Sequence, residues 1–263
     1  MNTTLFILIF VITMRNLFYI LIISSFTIFY SCNKDEDKGI STVNLDFEFD
    51  YSEESFEANT VYDYSLGYKL KFERFRLYIA NVQFVDSDGN TQDGPEIIYV
   101  DEFSTDNRVS FEIPGGDYSK IKFAIGVPQN LNGTDNPGFD AALFSADHPL
   151  SLDNGMYWTW NTGYRFNLID GRVNTDPNID ESFETLLSIH TGKDYSYRLT
   201  TLNHSFNAPK DAKVDVTLRF DVSAFLENPD DVIDLAIDNQ THGENAELSN
   251  RVADNGIKSV EVE

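Results

Sequence analysis

Cysteine and basic residues are both scarce in this chain of 263 residues. Cys32 is its only cysteine, so no disulfide bond can form within the chain. Nineteen lysine and arginine residues stand against 43 aspartate and glutamate residues, which gives a formal net charge of −24. A surface this acidic repels phosphate groups. The composition therefore excludes nucleic acids as partners, and it excludes binding to an anionic membrane through surface charge.

Common catalytic signatures are missing as well. The sequence has no GxSxG nucleophile elbow, no HExxH motif, no phosphate-binding glycine loop and no dinucleotide fingerprint. The segment Asp86–Gly89 is similar to the start of a calcium-binding loop, but the twelfth position from Asp86 is Ile97 rather than glutamate. We interpret it as a turn. No local pattern singles out two carboxylates for glycoside hydrolysis. These absences predict a protein that is not an enzyme.

Residues 1–31 are predicted to be a signal peptide of the lipoprotein type. Apolar residues dominate from Leu5 to Phe29, and Arg15 is the only charged residue before Cys32. A start at Met14 would place this arginine at the beginning of the signal, so either Met1 or Met14 is the true start. Cys32 directly follows the apolar core, as the lipidated cysteine does in a bacterial lipobox. The alternative is an uncleaved signal anchor, because the apolar run is long enough to span a bilayer.

Residues 32–42 are predicted to be an acidic, solvated tether, and residues 43–262 the folded domain. Lys34-Asp35-Glu36 in the tether is similar to a signal that some Gram-negative bacteria use to send lipoproteins to the outer surface. The predicted localisation is therefore the outer membrane, with the protein facing the periplasm or the cell surface. The lipid anchor would be its only contact with the membrane.

Short segments of alternating polarity predict an all-β fold. Apolar and polar residues alternate over Val43–Phe49, which is typical of a half-buried strand, and Pro114–Asp117 is one of several turn-forming segments. Helical patterns are limited to one turn at Ser223–Leu226 and a short helix over Glu244–Ala253. The pattern predicts a single antiparallel β-sandwich domain with short helical pieces. Further strands are predicted over residues 72–84, 97–101, 108–113, 121–127, 183–190, 195–202 and 214–222.

The most informative segment is Asp147–Gly171, which contains both tryptophans of the chain. Trp158 and Trp160 are two residues apart, so an extended strand would place both indoles on one face. The strand that follows is expected to end in a turn at Asp170-Gly171. Taken alone, two aromatics in a β pattern indicate core residues. However, His148 opens the same segment, and neutral imidazole is the commonest side-chain metal ligand at neutral pH.

The chain has only four histidines, and each has a different setting. His190 lies at the exit of a predicted strand, just before a glycine, and His242 lies in a polar loop before the last helix. His204 lies at a strand end and is interpreted as solvated or structural. In a chain with one cysteine, imidazole is the main remaining ligand for a transition metal. A single histidine is nevertheless weak evidence for a metal site.

An ordered set of motifs runs through these segments. The most specific part is a WxW…GY…F pattern over Trp158–Phe166, followed by HxG at His190–Gly192. The set resembles the MbnP-like family of copper-binding proteins, which are associated with methanobactin and copper-repression systems. The resemblance covers nearly all of the predicted mature chain. The other matching motifs are Arg76–Val82, Val100-Asp101, Ile113–Tyr118, Phe123–Val127, His148–Leu150, and His242 with Ala253–Asn255.

The resemblance implies an extracytoplasmic β-sandwich that binds one copper ion through histidine and a tryptophan oxidised to kynurenine. It also implies a partner for that oxidation, a dihaem cytochrome c peroxidase-like protein of the MauG kind. Kynurenine has an aryl amine and a ketone, so it can bind a metal where indole cannot. His148, His190 and His242 are then the candidate copper ligands, and Trp160 or Trp158 the modified aromatic. The alternative is a metal-free surface lipoprotein whose exposed aromatics bind a glycan or a protein.

Overall fold

The computed structural model describes residues 39–104, 106–133, 138–160, 163–178 and 181–263. The predicted signal peptide, the candidate lipidation site Cys32 and most of the predicted tether lie outside the described residues. Gly39–Glu263 form one compact unit. Within the described ranges, no helix combines the length and the apolar character that a membrane span requires.

Strands dominate the described part of the chain. They are β1 (Ile40–Tyr51), β2 (Glu54–Ser55), β3 (Tyr62–Asp63), β4 (Lys69–Asp86), β5 (Thr91–Asp93), β6 (Ile97–Asp101), β7 (Arg108–Pro114), β8 (Gly116–Ile125), β9 (Arg165–Asn174), β10 (Thr185–Gly192), β11 (Arg198–Ala208), β12 (Lys213–Asp221), β13 (Asp231–Val232), β14 (Gln240–Thr241) and β15 (Val260–Val262). The helices are α1 (Gln129–Asn132), α2 (Ala224–Glu227) and α3 (Ala246–Lys258), with 3₁₀ turns at Ala141–Leu143, Leu152–Asn154 and Asp194–Ser196.

The first sheet is built around β1. Its strand order is β15-β12-β1-β2, and β7 also pairs with β1. Alternation along β1 directs Val43, Leu45 and Phe47 into the core. β1 pairs antiparallel with β7 but parallel with β12, so this sheet is mixed where a purely antiparallel one was expected. A parallel pair needs a long connection, and most of the chain lies between β1 and β12.

The second sheet is built around the long strand β4. Its order is β11-β8-β4-β9-β10-β14, and β3, β5 and β6 also pair with β4. Alternate residues of β4 face two different cores: Leu77 and Ile79 face the first sheet, and Tyr78 faces outward into a smaller cluster. The short strand β14 pairs in parallel with β10 and so places the loop that follows it beside β10.

Aromatic side chains join the two sheets. The ring centre of Phe49 on β1 lies 5.6 Å from that of Phe75 on β4. Phe84 on β4 lies 5.9 Å from Phe111 on β7. Such pairs bury large apolar surfaces between sheets, which is the main stabilising contribution in a sandwich. The prediction of an all-β, sandwich-like fold is confirmed.

A second layer covers the outer face of the second sheet. The connection from β8 to β9, over residues 126–164, packs Val127, Leu150, Met156 and Tyr164 against Tyr78. The hydroxyl of Tyr78 donates to the carbonyl oxygen of Pro149 at 3.0 Å, which fixes the connection to the sheet. This layer carries the tryptophan segment.

Helix α3 packs against β10 on the other side of the same region. It begins after Asn245, whose side-chain oxygen accepts from the backbone N–H of Leu248 at 3.1 Å. The predicted helix over Glu244–Ala253 is present but extends further, to Lys258. The segment between β14 and α3, which contains His242, is therefore held at both ends.

Candidate metal centre

Strand pairing brings the candidate site together on the outer face of the second sheet. Ser188 and His190 alternate on β10 and therefore share a face. In the register with β9, Ser188 lies opposite Asp170 and His190 lies opposite Leu168. Because β14 pairs with the same part of β10, His242 follows directly beside this group. Residues that are far apart in sequence thus meet at one edge of the sheet.

His190 and His242 form a close pair of imidazoles. Their ring centres are 4.9 Å apart, and the rings are nearly perpendicular at 88°. His190 is buried, with 7% of its surface exposed, and His242 is half-buried. Burial lowers the pKa of His190, and this effect outweighs the opposite effect of Asp170. The His190 ring is therefore neutral at neutral pH, which is the state that binds metals.

Asp170 is a site residue that the sequence interpretation missed. Its Oδ1 lies 2.8 Å from Nε2 of His190 and accepts from the hydroxyl of Ser188 at 3.0 Å. Its Oδ2 lies 2.7 Å from Nη2 of Arg74 on β4. Burial raises the pKa of Asp170, but the hydrogen bond from His190 and the charge of Arg74 outweigh burial and lower it. Asp170 is therefore a buried, ionised acceptor for His190.

The expected turn at Asp170-Gly171 is wrong. β9 continues through both residues to Asn174 and pairs with β4 and β10 along this length. A buried carboxylate within a strand needs partners on neighbouring strands, and Arg74 and Ser188 provide them. The signal in the sequence was Asp170 itself, the only acidic residue of segment 166–173, two positions after Leu168 and on the same face.

The indole of Trp158 lies beside the histidine pair. It is buried, with 1% exposed, against the backbone of Gly192 and Gly243, where any added Cβ atom would touch the ring. The guanidinium of Arg165 lies 5.8 Å from the ring centre, and Nζ of Lys193 lies 5.6 Å from it. Nε1 of Trp158 is buried and has no hydrogen-bond partner among the described residues.

Trp160 has a different environment from Trp158. It is 65% exposed, although the two ring centres are only 6.0 Å apart. The expected extended strand through both residues is wrong. The backbone N–H of Trp158 instead donates to Gly163 at 3.0 Å, and that of Arg165 donates to Met156 at 2.7 Å. The segment therefore folds back on itself, so that one indole is buried and the other is exposed.

Comparison of the sequence with models of protein families identifies the family of the chain. The MbnP family model matches residues 40–246, which is most of the chain. The chain belongs to the MbnP family. The matched region contains every candidate site residue described above, and MbnP is linked to methanobactin and copper.

Among solved structures, this MbnP-family chain is similar to MbnP from Methylosinus trichosporium. The two share 14% sequence identity with a TM-score of 0.49, over 71% of this chain and 77% of the other. No protein with a curated description matches the chain.

The remaining histidines of this MbnP chain have local roles in the structure. Nδ1 of His148 accepts from the backbone N–H of Leu150 at 3.0 Å, and its ring stacks on Phe144 with centres 4.2 Å apart. None of its described contacts is with His190, His242 or Trp158. His204 is on β11, which is separated from β10 by three strands of the sheet.

The donor set of the site is nitrogen-rich but small. In the part of the chain that the structure describes, no three histidine, cysteine or acidic side chains are arranged to hold a metal ion by themselves. Two imidazoles suit copper. A further ligand would have to come from outside these residue types, and Nε1 of Trp158 is a buried nitrogen without a hydrogen-bond partner among the described residues. The two imidazoles therefore fit part of a copper site, and the other described side chains do not complete it by themselves.

Proposed function

We propose that this MbnP-family protein is an extracytoplasmic copper-binding lipoprotein and not an enzyme. The observation that carries the proposal is the close imidazole pair His190–His242 beside the buried indole of Trp158. His190 and His242 hold the ion, while His148, whose Nδ1 is bonded locally, does not take part.

Trp158, rather than Trp160, is the aromatic that is converted to kynurenine. Its ring contacts the glycine after His242 and the end of the strand that carries His190, whereas Trp160 is mostly in solvent. The conversion opens the five-membered ring and leaves an aryl amine and a ketone, which supply the ligand that the indole lacks. A dihaem peroxidase of the MauG kind is the partner for this oxidation.

The protein is attached to the outer membrane by lipidated Cys32 and faces the periplasm or the cell surface. The apolar segment before Cys32 and the acidic tether after it support this localisation. If Cys32, the only cysteine, carries the lipid, the protein has no free thiol that could be oxidised outside the cytoplasm. This also agrees with the proposed localisation.

The test is mass spectrometry and elemental analysis of the protein from its native organism. The peptide over Met156–Arg165 should be heavier by about 4 Da, because kynurenine formation removes one carbon and adds one oxygen. Fragmentation should place the change on Trp158. His190→Ala should lose most of the copper, because it removes a ligand, while the matched control His204→Ala should keep it. Two unmodified tryptophans without copper would contradict the proposal.

One observation favours a second function. Trp160 is 65% exposed in a surface position, and exposed aromatics commonly bind glycans or protein partners. A metal-free binding module would lose ligand binding in Trp160→Ala and would be indifferent to His190→Ala. The same two variants therefore separate the two functions.

A further inference from the structure

Both ring nitrogens of His190 already have partners in the described structure. Nε2 lies 2.8 Å from Oδ1 of Asp170. An ionised carboxylate only accepts hydrogen bonds, so Nε2 carries the hydrogen. Nδ1 accepts from Nε of Arg165 at 3.3 Å, and since a guanidinium only donates, Nδ1 carries the lone pair. A metal ion can bind His190 only if one of these two contacts is broken.

The contact with Asp170 is the more costly one to break. It is short and involves a charged acceptor, and its loss would weaken the hydrogen bonding of a buried carboxylate. Metal-binding histidines also usually donate their second N–H to such a carboxylate, which fixes the ring. Asp170 is itself held by Ser188 and Arg74. Asp170 therefore fixes the orientation of the His190 ring through Nε2.

The contact with Arg165 is the easier one to break. At 3.3 Å it is a long hydrogen bond. The same guanidinium has other acceptors, since Nη1 donates to the carbonyl oxygens of Gly155 at 2.7 Å and Tyr157 at 3.3 Å. Arg165 can thus release Nδ1 of His190 and remain hydrogen-bonded in the tryptophan loop.

We propose that Arg165 is a gate on the metal site: its guanidinium occupies the Nδ1 lone pair of His190 in the metal-free protein and withdraws when a cation binds there. This inference rests on the proposed function, because it assigns the site to copper. The gate has two effects. First, a cation can bind Nδ1 of His190 only after the hydrogen bond from Arg165 breaks. Second, the positive charge of Arg165 repels the incoming cation. Arg165 therefore lowers the affinity of the histidine pair and raises the selectivity for ions of low charge.

The experiment uses the full chain in detergent, made in a host without a dihaem peroxidase, with Ag⁺ and Cu⁺ as probes. Arg165→Gln removes the charge and keeps an amide that can bond to the loop carbonyls. Arg172→Gln is the matched control, because it removes a guanidinium from the same strand, where Arg172 pairs with Glu73 and not with a residue of the site. Calorimetric titration gives the affinities, and ¹⁵N NMR of the histidines reports which ring nitrogen is hydrogen-bonded or metal-bound.

Arg165→Gln should bind Ag⁺ about tenfold more tightly than the wild type, which is near the lower end of what one hydrogen bond from a charged group contributes. Arg172→Gln should show no gain. In the wild type, Ag⁺ should shift the Nδ1 resonance of His190 and leave Nε2 protonated. Equal or weaker binding in Arg165→Gln, an equal gain in both variants, or a shift at Nε2 would overturn the gate.

The wild-type spectrum keeps the inference testable if Arg165→Gln does not fold. The outcome is also separate from that of the proposed function. Native protein without copper or kynurenine would end the proposed function, whereas the Ag⁺ titration would still show whether Arg165 competes for Nδ1.

Discussion

At the scale of single residues, the chemistry of His190 depends on contacts from four residues on three different segments. Asp170 comes from β9, Arg165 from the start of the same strand, Ser188 from β10 itself and His242 from the loop after β14. Nothing local to residue 190 in the sequence specifies its neutral form or its tautomer. These properties follow from burial and from the carboxylate on the neighbouring strand.

The two tryptophans should differ strongly in solvent access. Trp160→Phe leaves Trp158, which is 1% exposed, and Trp158→Phe leaves Trp160, which is 65% exposed. We expect blue-shifted emission and weak acrylamide quenching in Trp160→Phe, because the remaining indole is buried. Trp158→Phe should give red-shifted emission and strong quenching. Acrylamide is the suitable quencher because it is neutral, whereas the net charge of −24 repels iodide. Equal quenching of both variants would contradict the buried position of Trp158.

Glu102 should make the stability of the fold depend on pH. Burial raises its pKa to about 7, with a further contribution from Asp101, and its Oε2 has no hydrogen-bond partner among the described residues. In the unfolded chain its pKa is about 4.3. Between these two values the unfolded state releases a proton that the folded state keeps, so the free energy of unfolding falls as pH rises through this window.

Glu102→Gln removes the free-energy cost of ionising this buried carboxyl group in the folded protein. Its melting temperature should exceed that of the wild type increasingly as pH rises from about 4 to about 8, with little difference at the acidic end. Thermal unfolding followed by circular dichroism measures the effect. Glu112→Gln, on an exposed position of β7, removes the same charge and serves as the control. A gain that is the same at every pH would show that Glu102 is not the titrating group.

At the scale of secondary structure elements, the sequence predicted the main strands well and the local structure around the candidate site poorly. The period-two pattern is local, so β1, β4, β6, β7, β8, β10, β11 and β12 all lie where alternation predicted strands. The tryptophan segment and Asp170 were misassigned because their structure depends on distant partners. His242 was predicted as a candidate only from its type and the family motif, whereas its place beside His190 comes from the parallel pairing of β14.

Gly171 shows why the end of strand β9 was predicted too early. The sequence interpretation assigned this glycine to a turn, but it lies opposite Phe72 inside the pairing of β9 with β4. A Cβ atom at residue 171 would overlap the backbone carbonyl oxygen of Lys71. The residue is glycine because two backbones approach closely there, and not because the chain reverses.

Gly171→Ala should therefore destabilise the fold by about 1–3 kcal/mol, because the overlapping atoms belong to the backbone and cannot rotate away. It should also weaken metal binding, since the displaced strand carries Asp170. Urea unfolding measures the first effect and Ag⁺ titration the second. Thr201→Ala, on an exposed position of β11, is the control and should change both quantities little. A Gly171→Ala protein as stable as the wild type would mean that the two strands lie further apart.

At the scale of the whole molecule, the core residues and the candidate site residues lie on opposite faces of the second sheet. The core between the sheets contains the inner faces of β1, β4, β9, β10 and β12, while the site uses the outer face of β9 and β10. A single strand such as β10 thus contributes Leu187 and Ile189 to the core and Ser188 and His190 to the site. Substitutions at the histidines should therefore affect metal binding with little loss of the fold.

The attachment of the molecule to the membrane is the last property that we predict. Cys32 directly follows an apolar segment and precedes an acidic stretch, as expected for a lipidated cysteine. Cys32→Ala should therefore move the protein from the membrane fraction to the soluble fraction, because it removes the residue that would carry the lipid anchor. Ser31→Ala, one residue earlier, is the matched control and should stay in the membrane fraction. Cell fractionation with N-terminal sequencing measures the result. A Cys32→Ala protein that stays membrane-bound with residues 1–31 uncleaved would indicate a signal anchor in place of a lipid.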